Sequence, residues 1–430
     1  MTPLQRKAHE LIPGGCHTYA KGDDQFPEHA PPFIVRGSGC HSWDPEGREF
    51  IEYGMGLRAV TLGHAFQPVI EAVMRQLPSG INFSRPAPIE VECAQKFLEL
   101  VPGADMVKFC KDGSHAVDGA VRLARAHTGR DMLAICGDHP FFSTSDWFIG
   151  SSDMPGGIPD STRQQVVKFR YNDIASLQDL FAMHAGKIAC VVMEASRTEE
   201  PRPGYLSSVL DLAHAEGALV VFDEMITGFR WHKNGAQALY GVTPDLSTFG
   251  KAIANGFSVS ALAGRREIMR LGGSDHEQER VFLLSTTHGA ETHGLAAAIA
   301  TMEFYDRNPV VEVLHARGAR LRQGCKQAAA AAGLGDCFDV IGRDCNLLFI
   351  TRDADRRPSQ AFRTLFMQEM IRRGVIAPSF VVSFSHSEAD IDRTVDAVQA
   401  SLDVYRKALD GGVENFLNGR PVKPVFRKFA

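Results

Sequence analysis

The chain has 430 residues, more than one average domain, and its 44% apolar and 23% charged side chains are the balance of a folded globular protein. A net charge of -5 without any basic run excludes a polyanion-binding surface. Nine scattered cysteines without a C-x-x-C pair or zinc spacing argue against a metal site, and no run approaches the roughly 20 apolar residues of a bilayer span.

Residues 33–53 alternate in a strand-like way about two turn signals, Gly37-Ser38-Gly39 and Asp44-Pro45-Glu46-Gly47, and predict a small β-hairpin unit. From about 87 to 265 helices alternate with short apolar strands. Helices are expected over 88–100 and 114–127, and strands over 132–136, 188–193, 218–222 and 258–263. Leu206, Val209, Leu210 and Ala213 take the i, i+3, i+4, i+7 spacing of a helix face, and Gly217 ends that helix before the next strand. This alternation predicts an α/β fold whose mostly parallel sheet is covered by helices on both faces. Residues 310–408 form a second α/β block that closes on a helix over 388–407.

Open α/β sheets bind ligands beyond the carboxyl ends of their strands. Three features fall there: Val220-Val221-Phe222-Asp223-Glu224, an apolar strand ending in a carboxylate; Gly250-Lys251 behind residues 245–249; and Asp112-Gly113-Ser114 opening a helix. A pyridine cofactor with a phosphate tail needs such a set. A carboxylate keeps the ring nitrogen protonated, a lysine makes the Schiff base and moves the proton, and a helix N-terminus holds the phosphate. Taken singly, each has an ordinary alternative: a turn cap, a solvated surface charge, an N-cap. Their order and spacing together favour the cofactor site.

Phe222-Asp223-Glu224-Met225-Ile226-Thr227-Gly228-Phe229-Arg230, with Lys251 of Ser247-Thr248-Phe249-Gly250-Lys251-Ala252-Ile253-Ala254-Asn255-Gly256 lying 28 residues beyond the aspartate, resembles the signature of the class III aminotransferases. The resemblance is closest to the glutamate-1-semialdehyde aminomutase branch. It extends over Ile12-Pro13-Gly14-Gly15, the Trp43 hairpin, Leu62-Gly63-His64, Ala120-Val121-Arg122-Leu123-Ala124-Arg125 and Phe384-Ser385-His386.

The resemblance implies a fold-type I enzyme dependent on pyridoxal 5'-phosphate. A large domain over 61–305 would bind the cofactor, a smaller α/β domain would occupy 306–430, and the segment 1–60 with its hairpin would pack on the small domain. Lys251 would carry the cofactor and Asp223 would pair with its ring nitrogen. Gly113 and Ser114 would bind the phosphate. His139 takes the place of an aromatic that stacks on the ring, Ile226 would pack on the opposite face, and Glu194 matches a carboxylate near the cofactor. Thr286, or its neighbour Thr287, would reach the phosphate of the partner subunit, so a homodimer is implied.

Departures from the branch bear on substrate. Lys21 stands where the aminomutases have a carboxylate-binding arginine, and Arg58 is an unusual cation in Gly54-Met55-Gly56-Leu57-Arg58. The helix-opening motif reads Lys111-Asp112-Gly113-Ser114-His115 in place of the usual Asn-Ser-Gly-Thr-Glu, and the segment from Glu194 to Pro201 is shorter than in the aminomutases. The expectation is an aminotransferase that moves an amino group from a small-molecule donor to a keto or aldehyde acceptor by a ping-pong route. Lys21 and Arg58 would recognise an acidic group. The alternative is an intramolecular aminomutase of the glutamate-1-semialdehyde type. A scaffold without catalysis is disfavoured by the intact Asp223 and Lys251, and a dinucleotide enzyme by the lack of a strand-linked G-x-G-x-x-G. Residues 1–13 lack the apolar core of a secretory signal, so a cytoplasmic protein with reduced thiols, free of nucleic-acid and membrane partners, is expected.

Overall fold

After a helix Pro3–Leu11 and short turns, three short strands come first among the strands of the computed structural model, which describes residues 1–428. They are β1 (Arg36–Ser38), β2 (His41–Trp43) and β3 (Glu49–Glu52), an antiparallel meander where the hairpin unit is expected. Gly39, at φ 59, turns the chain between β1 and β2, a conformation that only glycine adopts cheaply. Contacts divide the chain into two units, residues 67–311 and residues 1–66 together with the chain from 312 onward.

The 67–311 unit holds a seven-stranded sheet. Its strands are β4 (Met106–Cys110), β5 (Met132–Cys136), β6 (Val166–Phe169), β7 (Ile188–Met193), β8 (Leu219–Asp223), β9 (Leu246–Phe249) and β10 (Ser260–Gly264), in the spatial order β4-β10-β9-β8-β7-β5-β6. Only β10 runs antiparallel to its neighbours, so the other six strands point one way and their carboxyl ends share one edge. Side chains alternate between two cores. Leu219 and Val221 join the apolar cluster that includes Ala116, Ala120 and Leu123 of the helix Gly113–Thr128. Val220 and Phe222 join Leu177 and Phe181 of helix Ile174–Met183 and Val209 of helix Tyr205–Ala215 on the opposite face. A sheet covered on both faces explains why all six residues of β7 are buried.

Two expectations shift. The strand expected over 218–222 runs one residue later, so Asp223 is its last residue, paired with Thr248 of β9. The strand expected over 258–263 is β10, two residues later at its start and antiparallel to both neighbours. Strands β4 and β6 escape the apolar-run criterion because they are the edges of the sheet. Each carries a mid-strand lysine, Lys108 and Lys168, a common way to protect an open edge. Helix Tyr205–Ala215 closes as expected: Gly217 (φ 70) donates its N–H to His214 and Ala218 donates to Ala213, the paired bonds of a Schellman turn.

In the other unit β11 (Phe338–Ile341) pairs antiparallel with β12 (Leu348–Thr351), and β13 (Val375–Ile376) adds parallel to β3. The closing helix runs Glu388–Gly411 from a capping box in which Ser387 and Asp390 satisfy each other's backbone N–H groups. No helix among the described residues is long and apolar enough to cross a membrane.

Candidate active site

The carboxyl edge of the seven-stranded sheet collects most of the expected site residues. Asp223 ends β8 and Glu194 follows β7, while Lys251 follows Gly250 at the end of β9. His139 lies beyond β5, and Gly113 opens the helix after β4. Asp223 is 4% exposed, and Met225 donates its backbone N–H to Asp223 Oδ1 at 2.8 Å. Burial, and next the charge of Glu194, push the Asp223 carboxyl up to about 7, against the opposite pull of Lys251 and the Met225 N–H. Lys251 is half-buried and starts the turn Lys251–Ala254 with φ 47, a left-handed value unusual for a side chain of this size.

Glu194 and His139 form a joined pair. The backbone N–H of Glu194 donates to His139 Nδ1 at 3.0 Å, so the neutral ring carries its proton on Nε2. Burial, then the positive charge of Arg197, lower the His139 pKa to about 3. An uncharged ring follows at any physiological pH. Tyr171 lies beside it at 5.1 Å between ring centroids and donates its hydroxyl to Ala195 O at 2.7 Å.

At the helix N-terminus, the Asp112 side chain accepts the His115 N–H and leaves the Gly113 and Ser114 amides without a side-chain cap. Ser114 Oγ accepts the Thr144 N–H at 3.1 Å, which leaves the hydroxyl proton to donate outward. Asp118, one turn along, takes hydrogen bonds from Ser143 Oγ and Trp147 Nε1, each at 2.7 Å, and from Ser145 Oγ. That grip fixes the 143–147 loop against the helix. Met225 packs between the two glycines of the site: a Cβ on Gly113 would fall 2.8 Å from its sulfur, and one on Gly250 would fall 2.5 Å away. Ile226, next in this turn, is half-buried.

The Aminotransferase class-III family model matches residues 24–336, well over half the chain. The chain belongs to the class III aminotransferases. It is 30% identical to the 3-aminobutyryl-CoA aminotransferase of Cloacimonas acidaminovorans over 94% of this chain and 97% of that one. It is 31% identical to the glutamate-1-semialdehyde 2,1-aminomutase of Halobacterium salinarum, over 93% and 98%. Among solved structures, the FumI protein of Sphingopyxis sp. MTA144, in its PLP internal aldimine form, superposes with a TM-score of 0.86 at 27% identity, covering 95% of this chain and 97% of that one.

Pyridoxal 5'-phosphate is accordingly the cofactor of this aminotransferase. The residues present fit it. A buried carboxylate that burial makes costly to ionise would be relieved by a cationic ring nitrogen, and two glycines leave the backbone bare where Cβ atoms would strike Met225. The 16-residue helix from Gly113 offers amide donors to a phosphate.

Thr286 and Thr287 are exposed in the loop before helix Thr292–Arg307, and Asn82 Nδ2 donates to Thr287 O at 3.0 Å. Lys21 and Arg58 belong to the unit of residues 1–66. Lys21 is exposed, whereas Arg58 is half-buried and donates to Asn346 Oδ1 at 2.8 Å, so Arg58 is not a solvated surface charge. The sequence pattern missed Met225, Tyr171 and Arg197, since their relation to the site depends on strand-end loops meeting across the sheet. Cys40, His41 and Asp390 place potential metal-ligand atoms within 4.8 Å of one another, but Asp390 already accepts from Cys40, His41 and the Ser387 cap.

Proposed function

We propose that this aminotransferase works between two small molecules, with Lys251 as the residue that carries the cofactor and moves protons. The convergence of Lys251, Asp223, Glu194, His139 and the Gly113–Ser114 helix start on one sheet edge carries this reading. Bound pyridoxal 5'-phosphate supplies an electron-accepting ring that stabilises negative charge on the substrate carbon bearing the nitrogen. Asp223 keeps the ring nitrogen protonated and so keeps that sink strong. The Gly113 amide, the Ser114 hydroxyl and the helix N-terminus hold the phosphate. His139 and Ile226 cover the two faces of the ring, and Glu194 orients His139 through its backbone N–H. The Lys251 amine removes a proton from the donor's carbon and later returns one to the acceptor. The donor leaves as a carbonyl compound before the acceptor enters, which is the ping-pong order. Lys21 and Arg58 remain candidate contacts to an acidic group on either substrate.

The active form is proposed to be a cytoplasmic homodimer in which Thr286 reaches the partner's phosphate. Ile81 and Phe83 are exposed on either side of Asn82, whose side chain donates to Thr287 O, next to Gly80, whose carbonyl accepts from Thr292 Oγ1, and Phe282 is 70% exposed. Exposed apolar side chains of this size support a covered interface. All nine cysteines are free thiols, which supports a reducing compartment. Borohydride reduction and peptide mapping should place the phosphopyridoxyl group on Lys251, and a label on any other lysine sinks the assignment. Relatives named as aminomutases keep that second reading open. Efficient conversion of glutamate-1-semialdehyde to 5-aminolevulinate without a released intermediate keto product would replace the intermolecular reading with it.

A further inference from the structure

An anionic cofactor phosphate joined to two buried carboxylates, Glu194 and Asp223, makes this site hostile to an acidic substrate unless a cation faces it. Besides Lys251, a further cation of the same unit is ion-paired with one of these carboxylates. Arg197 lies three residues beyond Glu194, is 23% exposed, and spends a single N–H on Glu194 Oε1 at 3.3 Å. Its other guanidinium donors have no acceptor among the described residues. Glu194, its ion-pair partner, also holds His139 through its backbone N–H at 3.0 Å, so Arg197 and that ring share a neighbour.

The loop that carries Arg197 is fixed on both sides. Tyr171 holds Ala195 O, and Trp231 Nε1 reaches Ser196 Oγ at 3.4 Å. On the far side the Asn172 amide donates to Glu199 Oε1 at 2.7 Å and to Glu200 O at 3.0 Å, while Asn172 Oδ1 accepts the Arg202 N–H at 2.8 Å. Asn172 itself sits at φ 56, a conformation maintained by these bonds. A planar guanidinium with spare donors, projected from an immobilised loop at the rim of a buried site, is the arrangement for two-point recognition of a carboxylate.

We propose that Arg197 is the specificity residue of this site and binds a carboxylate of the amino donor or acceptor. The proposal rests on the aminotransferase reading above and names the substrate class as a carboxylate-bearing amine or carbonyl compound.

Two donors that differ by one carboxylate, 3-aminobutanoate and isopropylamine, test it on the holoenzyme through bleaching of the cofactor's visible band. Succinate, which carries no amino group, gives an equilibrium readout by calorimetry. In Arg197→Met the preference for 3-aminobutanoate over isopropylamine should fall about ten- to a hundred-fold, and the succinate Kd should rise by a similar factor. Arg197→Lys should recover part of each, since a lysine keeps the charge and loses the fork. An unchanged preference overturns the proposal. So does an equal loss with both donors, which would assign Arg197 to supporting Glu194, or a wild-type enzyme that does not bind succinate. A wild-type protein that binds succinate through Arg197 yet converts no donor would sink the aminotransferase reading and leave the anion site standing.

Discussion

Replacing Asp223 with asparagine should move folding stability and cofactor affinity in opposite directions. Burial and Glu194 raise this carboxyl from 3.8 to about 7. Each pKa unit is worth about 1.4 kcal/mol, so the ionised form costs the apoprotein roughly 4 kcal/mol of folding stability. The sign follows from linkage. A raised folded-state pKa means stability that is fully present below the unfolded value near 3.8 and is lost as pH rises through about 7. Asparagine never ionises and keeps an oxygen for the Met225 N–H. Apo Asp223→Asn should therefore match wild type near pH 4 and exceed it at pH 8, by up to about 4 kcal/mol. Cofactor narrows that difference at pH 8 without reversing it. The mutant lacks the anion proposed to pair with the ring nitrogen, and a ten- to hundred-fold weaker Kd would remove about 1.4–2.7 kcal/mol of ligand stabilisation. Urea unfolding of both apoproteins at pH 4 and pH 8, repeated with excess pyridoxal 5'-phosphate, measures all the terms. A stability difference that does not change with pH, or an apo mutant weaker than wild type at pH 8, would refute the reasoning.

Three further outcomes follow from contacts at the same edge. Lys251→Ala should retain cofactor by its phosphate and ring contacts but lose turnover by about a hundred- to ten-thousand-fold, checked by dialysis and by donor titration. Gly250→Ala places a Cβ 2.5 Å from both Met225 Sδ and Ser260 Oγ, so apoprotein stability should fall by about 1–3 kcal/mol together with cofactor affinity. Asn172→Ala removes the bonds to Glu199, Glu200 and Arg202, so hydrogen exchange over 195–202 should accelerate while exchange in β7 and β8 stays slow.

What could be read from the sequence, and what could not, divides along a physical line. The central strands β5, β7 and β8 are buried on both faces, so apolar runs reveal them almost to the residue, and Asp223 stands out as a charge closing such a run. Lys251 stands out because it follows a short strand and a glycine, in a motif whose order survives as a linear string. Edge strands β4 and β6 carry lysines that break the run, so a reading based on apolarity passes over them. Arg197 is hidden for a different reason. The residues that hold its loop, Tyr171 and Asn172 after β6 and Trp231 after β8, are distant in sequence from Arg197 itself after β7, so nothing in the local string marks it apart from any other arginine. Parallel topology accounts for both results. It gathers strand ends distant in sequence onto one edge, so each strand announces its own terminal residue while the relation between termini exists only in the folded sheet. The residues proposed for the cofactor chemistry lie at strand ends, and their order and spacing along the chain make them legible together. Residues that choose the substrate act through loops that hold one another, and in this enzyme Arg197 gains its proposed role from the Asn172 and Tyr171 bonds that immobilise it.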